Sequence, residues 1–228
     1  MLRTTRRWIT KTFLQSGTPP FRLHRFASER CSIIENAIRS DQDPYLTRQN
    51  LVRNTLKFCE ESLSDWVPGS HFELCVFVDP EEPLLFAYFD SNHATTARNM
   101  AERERNPHFY VEKEYEVTRL LQAPTSHPRV INDTHDAKVN YVFTSDNQRK
   151  QIRSSVLICL DLARPFALVV SSNEANAFPE THPEVLSDPV MSFIRYIGES
   201  VRYDLIEGDF VRRIRDFKPS LFSASPRQ

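Results

Sequence analysis

Residues Ser154–Phe178, SSVLICLDLARPFALVVSSNEANAF, decide how this chain is read. Two apolar runs of strand length, Val156–Leu162 and Phe166–Val170, are rich in Val, Ile, Leu and Phe and are broken by Ala163, Arg164 and Pro165. That pattern predicts neighbouring, well-buried antiparallel strands. The second run ends in Ser171, Ser172 and Asn173, whose side chains can bond nearby backbone and so favour a turn. After Phe178 the chain is mostly polar as far as Ser187. A helix is then expected: Asp188 can cap free backbone amides, and Pro189 suits the first helical position, where a missing N–H costs nothing. Val190, Ile194, Ile197, Val201 and Leu205 recur at spacings of three and four, which makes one apolar face.

Upstream, Glu29–Arg39 and Tyr45–Val67 read as helices separated by the turn residues Asp41–Pro44. The second carries an apolar stripe of Val52, Leu56, Cys59, Leu63 and Trp66. Asn92–Arg105 is charged and helix-compatible, Val111–Leu121 predicts a helix lining one side of a cavity, and Pro124, Ser126, His127 and Pro128 make a rigid loop.

Ile152, Ser154, Val156, Ile158, Leu160 and Leu162, then Phe166–Ser171, Phe178 and the helix from Pro189 resemble the GAF family of small-molecule sensor domains. The resemblance implies an α+β fold, a central antiparallel sheet with flanking helices in the PAS/GAF-type sensor architecture. It makes Phe72–Phe89 the first hairpin, with Asp79–Glu82 at its turn, and Arg129–Thr134 a short strand. It covers roughly residues 45 to 216 and divides the chain into a basic arm (1–28), a helical lead-in (29–67), a GAF-like domain with a long terminal helix (68–216) and a polar tail (217–228). In such proteins the terminal helices pack together and often form a dimer bundle. The two apolar stripes suit either a homodimer or internal packing against the sheet.

Some ligand-binding GAF domains of the cyclic-nucleotide class carry an asparagine–lysine pair and a downstream phenylalanine and aspartate, whose ion pair holds a loop over the ligand. Asn173 and Phe178 match, while Glu174 stands at the lysine and His182 at the aspartate. A clasp of reversed polarity would attract only while the histidine is protonated, weakening as pH rises through its pKa. The alternative is a solvated turn in which the two never meet.

The same resemblance sets a ligand pocket between the sheet and Asn92–Ser145. Phe109, Tyr110, Tyr115, Tyr141 and Phe143 supply aromatic walls, with Arg119, Asn132, Asp133 and Asn140 as polar candidates. Each aromatic can equally be core packing.

A chain of 228 residues with 40% hydrophobic and 26% charged residues can bury a sizeable core. Its formal net charge of −1 gives no global drive toward nucleic acid, so any such partner needs a local patch. Met1–Ser28 supplies one, with Arg3, Arg6, Arg7, Lys11, Arg22 and Arg25 and no acidic residue. Trp8, Ile9 and Phe13 can share a helical face. The arm therefore reads as a mitochondrial-type targeting segment, as a contact for anionic membrane or nucleic-acid backbone, or as a plain docking arm. The remainder points to a cytoplasmic protein, because no apolar run approaches the roughly 20 residues that span a bilayer.

Catalytic motifs are scarce. The 4 glycines fall in no phosphate-loop context, and no GxSxG elbow is present. Cys31, Cys59, Cys75 and Cys159 are widely spaced and form no CxxC pair. Val130–Val142, which would carry the loop cysteines of a free-methionine sulfoxide reductase, contains none. No cysteine and histidine stand close together as bilin attachment would need. His127, Asp133, His135 and Asp136 lack zinc-type spacing and read as a polar loop. The expectation is a non-enzymatic regulatory module that binds a small molecule or a partner protein and signals to a separate output subunit. The alternative is a scaffold subunit with an occluded cavity.

Overall fold

The computed structural model describes residues 20–40, 44–66, 69–78, 84–89, 115–125, 127–139, 141–143, 146–160, 166–178 and 189–222. In chain order the elements are α1 (Pro20–Arg39), α2 (Pro44–Trp66), β1 (Phe72–Val78), β2 (Leu84–Phe89), α3 (Glu116–Gln122), β3 (Arg129–Ile131), α4 (Asp146–Gln151), β4 (Ser154–Leu160), β5 (Phe166–Ser172) and α5 (Pro189–Phe222). The fold is α+β: one antiparallel sheet of five strands in the order β2-β1-β5-β4-β3, with flanking helices.

Proline sets three helix starts. Pro20, Pro44 and Pro189 each open a helix at the position where φ near −65° and a missing N–H are both compatible with the first turn. The first helix therefore begins at Pro20, upstream of the Glu29 start expected from periodicity, and takes residues 20–28 out of the basic arm. Helix α5 continues to Phe222, so residues 217–222, expected as tail, are helical. Helix α3 covers Glu116–Gln122, and the 111–114 part of the expected helix lies outside the described residues. The expected strand Arg129–Thr134 stops at Ile131, because the Thr134 N–H turns to the Arg153 carbonyl and its hydroxyl to the Ile152 carbonyl. Helix α4 has no apolar periodicity that would announce it. The Asn92–Arg105 segment and residues 1–19 of the arm lie outside the described residues.

Strand β5 is hydrogen-bonded on both sides, to β1 (Leu74↔Val170, Val76↔Leu168) and to β4 (Val156↔Val170, Ile158↔Leu168). Successive side chains point to opposite faces. One face carries Phe72, Leu74, Val76, Val156, Ile158, Phe166, Leu168 and Val170, each 3% exposed or less. The other carries Cys75, Phe77, Leu157, Cys159 and Ala167, which pack with Tyr115, Val117, Leu120 and Leu121 of the α3 region and with Ile131. Both faces are thus buried, which is why β1 and β5 read as continuous apolar runs rather than alternating ones.

The chain divides into two compact units, one within Leu56–Glu199 and the other within Met1–Thr55 and Ser200–Gln228. In the first, Leu56, Cys59, Leu63, Ile194 and Ile197 are fully buried, and the Phe58 and Phe193 rings lie 6.4 Å apart. Burial, followed by the charge of Glu60, pushes the Cys59 thiol well above its ordinary pKa, so it is a core side chain and no nucleophile. In the second unit, the fully buried Asp204 of α5 is paired with Arg30 of α1, and accepts a 2.5 Å hydrogen bond from the Thr55 hydroxyl of α2. Of the two apolar stripes, Val52, Leu56, Cys59, Leu63, Ile194, Ile197, Val201 and Leu205 are buried. Phe21, Leu46, Tyr203 and Ile206 remain exposed.

Two predictions follow from this packing. Ile158 and Leu168 are register partners on the buried face, so Ile158→Ala and Leu168→Ala should each lower unfolding free energy by about 2–5 kcal/mol. Chemical denaturation checks this, and wild-type midpoints would contradict the packing. Asp204→Ala strands the Arg30 guanidinium, 15% exposed, without its counter-charge, and should cost about 3–5 kcal/mol in the same assay.

Candidate functional site: a polar-floored cavity on the sheet

The second sheet face is not uniformly apolar. Register places Glu73, Ser171 and Ser155 side by side across β1, β5 and β4. Their residues are 5%, 3% and 0% exposed. The neighbouring row is Cys75, Val169 and Leu157. Helix α3 brings Tyr115, Glu116 and Val117 over these rows, residues 141–143 bring Tyr141 and Val142, and α4 brings Gln148. Together they form a partly open cavity of about 60 Å³ lined by Glu73, Cys75, Phe77, Tyr115, Glu116, Val117, Tyr141, Val142, Gln148, Leu157, Val169 and Ser171.

A buried polar group left unbonded costs about 1–3 kcal/mol, and the floor meets that cost with a network. The Ser155 and Ser171 hydroxyls lie 2.9 Å apart, the Tyr141 hydroxyl is 3.3 Å from Ser155 Oγ, and the Cys75 thiol donates to Glu73 Oε1 at 3.7 Å. Burial is the largest influence on the Tyr141 phenol and pushes it up to about 12; the Glu73 charge adds to the rise, while hydrogen bonds with Ser155 and Ser171 oppose it. Glu116, at the first turn of α3, is ion-paired with Arg129 at 2.6 Å and with Arg119 at 3.5 Å. Those guanidinium side chains are 49% and 41% exposed, against 7% for the carboxylate.

Of the residues singled out from sequence, Tyr115 and Tyr141 line this cavity. Phe143 stacks beside it on Tyr141 (4.9 Å) and His135 (5.7 Å), beneath the Arg149 guanidinium. Arg119 turns to Glu116. Asn132 and Asp133 lie in the loop after β3. The Asn132 carbonyl accepts from the Asn176 N–H at 2.7 Å, and Asn176 adopts φ 59°, a left-handed conformation that asparagine tolerates. The Asp133 carboxylate accepts from the His135 N–H at 3.0 Å and pairs with Arg153 at 3.2 Å, and these two partners hold it below its ordinary pKa. Phe109 and Asn140 lie outside the described residues, as does Tyr110.

In the clasp region, Asn173 bridges to β1 by accepting the His71 N–H at 2.8 Å and donating its own N–H to the His71 carbonyl at 3.3 Å. The Glu174 side chain is exposed, while its backbone carbonyl accepts the Ser154 hydroxyl at 2.6 Å. Phe178 is buried against Phe72, ring centroids 6.4 Å apart. His182 lies outside the described residues. Among the described residues no group of three or more His, Cys, Asp or Glu side chains is placed to hold a metal ion, and no helix is long and apolar enough to cross a membrane.

Sequence reading missed Glu73, Glu116, Ser155, Ser171 and Gln148. A signal existed for the first: Glu73 shares parity with Cys75 and Phe77 in a strand whose neighbours are otherwise apolar, and a carboxylate at a buried strand position calls for a reason. That Ser155 and Ser171 join it required the register.

The Tyr141 phenol sets a pH expectation. Between pH 10 and about 12 the unfolded chain releases this proton and the folded chain keeps it, so the folded state binds more protons and stability falls as pH rises through that window. Tyr141→Phe removes this part of the fall. Denaturation curves at closely spaced pH values should show a shallower loss for the variant than for wild type.

No family model matches this sequence, nor does any curated protein. Among solved structures, the chain is similar to Escherichia coli SdiA, with 16% identity over 81% of this chain and 69% of that one at a TM-score of 0.40. It is similar to a GAF domain/HD domain protein from Geobacter sulfurreducens, with 11% identity over 70% of this chain and 94% of that one at 0.41. The third is the GAF3 domain of a Synechocystis protein in its photoproduct state, with 10% identity over 72% of this chain and 99% of that one at 0.43. The overlap is loose at these TM-scores, and the fold class rests on the sheet and helices themselves.

Proposed function

We propose that this chain is a sensory or regulatory module that binds a small molecule in the cavity over the sheet and passes the event through its long helices to a separate output subunit. One observation carries the reading: Glu73, Ser171 and Tyr141 line a cavity whose other walls are largely apolar, with Ser171 in register with Glu73 and hydrogen-bonded to Ser155, which Tyr141 also meets. Apolar side chains of matching shape would fill such a core at no loss of stability, so a polar floor is what a recognition site needs and a plain core does not. An apolar pocket with a few convergent polar groups is the usual form of a small-molecule site. Tyr115 and Tyr141 are ligand contacts in this reading. Helices α2 and α5 each belong to both compact units, which gives a covalent route away from the site.

The cavity's volume of about 60 Å³ favours a second reading, a non-catalytic scaffold with an occluded cavity, since sites for drug-sized ligands run to roughly 300–1,000 Å³. Native mass spectrometry of protein purified from its own source separates the two. A sensor module should carry a retained small-molecule mass that is lost in Ser171→Val, with the unfolding midpoint of the ligand-free protein lowered relative to the loaded form. A clean apo mass, with Ser171→Val as stable as wild type or more so, favours the scaffold.

A further inference from the structure

We infer that residues 141–143 and helix α4 act as a strap over the cavity, pinned shut where the Phe143 ring is held between His135 and Arg149, and that releasing this pin admits a ligand larger than the closed space. The inference rests on the binding-module reading above and names how its site is entered.

Volume creates the need. The closed cavity measures about 60 Å³, whereas sites for drug-sized ligands run to roughly 300–1,000 Å³, so an occupant of that size requires a wall to move. The walls differ in how they are held. The floor is fixed by ladder hydrogen bonds along both edges of β5. The α3 wall is fixed by the burial of Val117, Leu120 and Leu121 and by the 2.6 Å pair of Glu116 with Arg129 of β3. The remaining wall supplies Tyr141, Val142 and Gln148. Residues 141–143 belong to no helix or strand, α4 is only 6 residues long, and its Asp146, Arg149 and Lys150 are exposed. Segments with few buried contacts and solvent-exposed backbone open locally at the lowest cost.

Three contacts meet on Phe143. Its ring centroid lies 4.9 Å from that of Tyr141 and 5.7 Å from that of His135, and the Arg149 guanidinium stands 5.1 Å from it. His135 closes the clamp by donating from Nε2 to the Arg149 carbonyl at 2.6 Å, since a carbonyl can only accept. The His135 side of the clamp is anchored. Its backbone N–H bonds Asp133 Oδ1 at 3.0 Å, Asp133 pairs with Arg153 at 3.2 Å, and the Thr134 hydroxyl and N–H bond the Ile152 and Arg153 carbonyls at 2.7 and 2.8 Å. His135 is therefore the fixed post, and the strap is the part that moves. Surface contacts of these kinds are individually weak, which suits a catch that has to release. Turning Phe143 out frees the ring stacked on it, Tyr141, whose hydroxyl reaches Ser155 Oγ at 3.3 Å across the cavity.

N-ethylmaleimide, a thiol reagent larger than the closed cavity, tests this on the full chain through Cys75, a lining residue 5% exposed. Peptide mass spectrometry reads each cysteine separately: exposed Cys31 reports the reagent's strength, and fully buried Cys59 reports unfolding of the core. His135→Ala and Arg149→Ala each remove one side of the clamp from an exposed position. Each should raise the Cys75 labelling rate about three- to tenfold over wild type, as expected when weak contacts are lost from a local opening equilibrium, with Cys31 and Cys59 within about twofold. Unchanged Cys75 rates in both variants overturn the strap. So does an equal rise at Cys75 and Cys59, which marks unfolding of the core rather than a local opening. Because the labelling needs no natural ligand, the two readings fail separately. A clean apo mass in native spectrometry with Cys75 rising as expected overturns the sensor module and supports the strap, whereas a retained mass with Cys75 unchanged overturns the strap and supports the sensor module.

Discussion

Strand β5 is the element on which the rest of the structure depends. It is the middle strand of the sheet, hydrogen-bonded to β1 along one edge and to β4 along the other, and its period of two assigns residues to faces for the whole domain. Phe166, Leu168 and Val170 point to one side, where they meet the buried side chains of β1 and β4. Ala167, Val169 and Ser171 point to the other, where the cavity lies. A slip of one residue would exchange the two sets, placing Ser171 on the side of Leu168 and Val170 and removing the polar floor of the cavity.

Two buried polar groupings among the described residues are built on different terms. Asp204 joins three helices: its carboxylate pairs with the Arg30 guanidinium and accepts from the Thr55 hydroxyl. Glu73 and Ser171, with Ser155 beside them in the row, lie instead against a cavity that the first two line. There the hydroxyls bond one another and Tyr141 supplies a further hydroxyl, so the network is satisfied without being closed to a ligand. A buried group that contacts empty volume differs chemically from one that contacts protein on every side, and that difference separates a site from a strut.

The loop after β5 shows how the site end of the sheet is held. Asn173 ties β5 back to the start of β1 through His71, Ser154 bonds the Glu174 carbonyl, and Asn176 in its left-handed turn reaches the Asn132 carbonyl. The ends of β5, β1, β4 and β3 are thereby linked by side-chain and turn hydrogen bonds in addition to the ladder pairs Phe72↔Ser172 and Ser154↔Ser172. Thr134 does the same on the β3 side, bonding the backbone of Ile152 and Arg153.

Elements whose signal is local were legible in the residues alone. Apolar runs broken by turn residues announced β4 and β5, the turn residues Asp41–Pro44 marked the approach to α2 and Pro189 the opening of α5, and recurrences of three and four marked the buried faces that Leu56, Cys59, Ile194 and Ile197 occupy. Helix α4, only Asp146–Gln151, carries no such recurrence, and α1 extends back to Pro20 through residues whose charge reads as an arm. The site was legible only in its aromatics, Tyr115 and Tyr141. Its polar floor draws Glu73, Ser155 and Ser171 from three strands as much as 98 residues apart (171 minus 73). Glu73 alone stands out among apolar strand neighbours; Ser155 and Ser171, taken with their sequence neighbours, are ordinary strand residues. What they form together depends on which strand lies beside which and in what register, and cross-strand hydrogen bonding decides that only once the chain has folded.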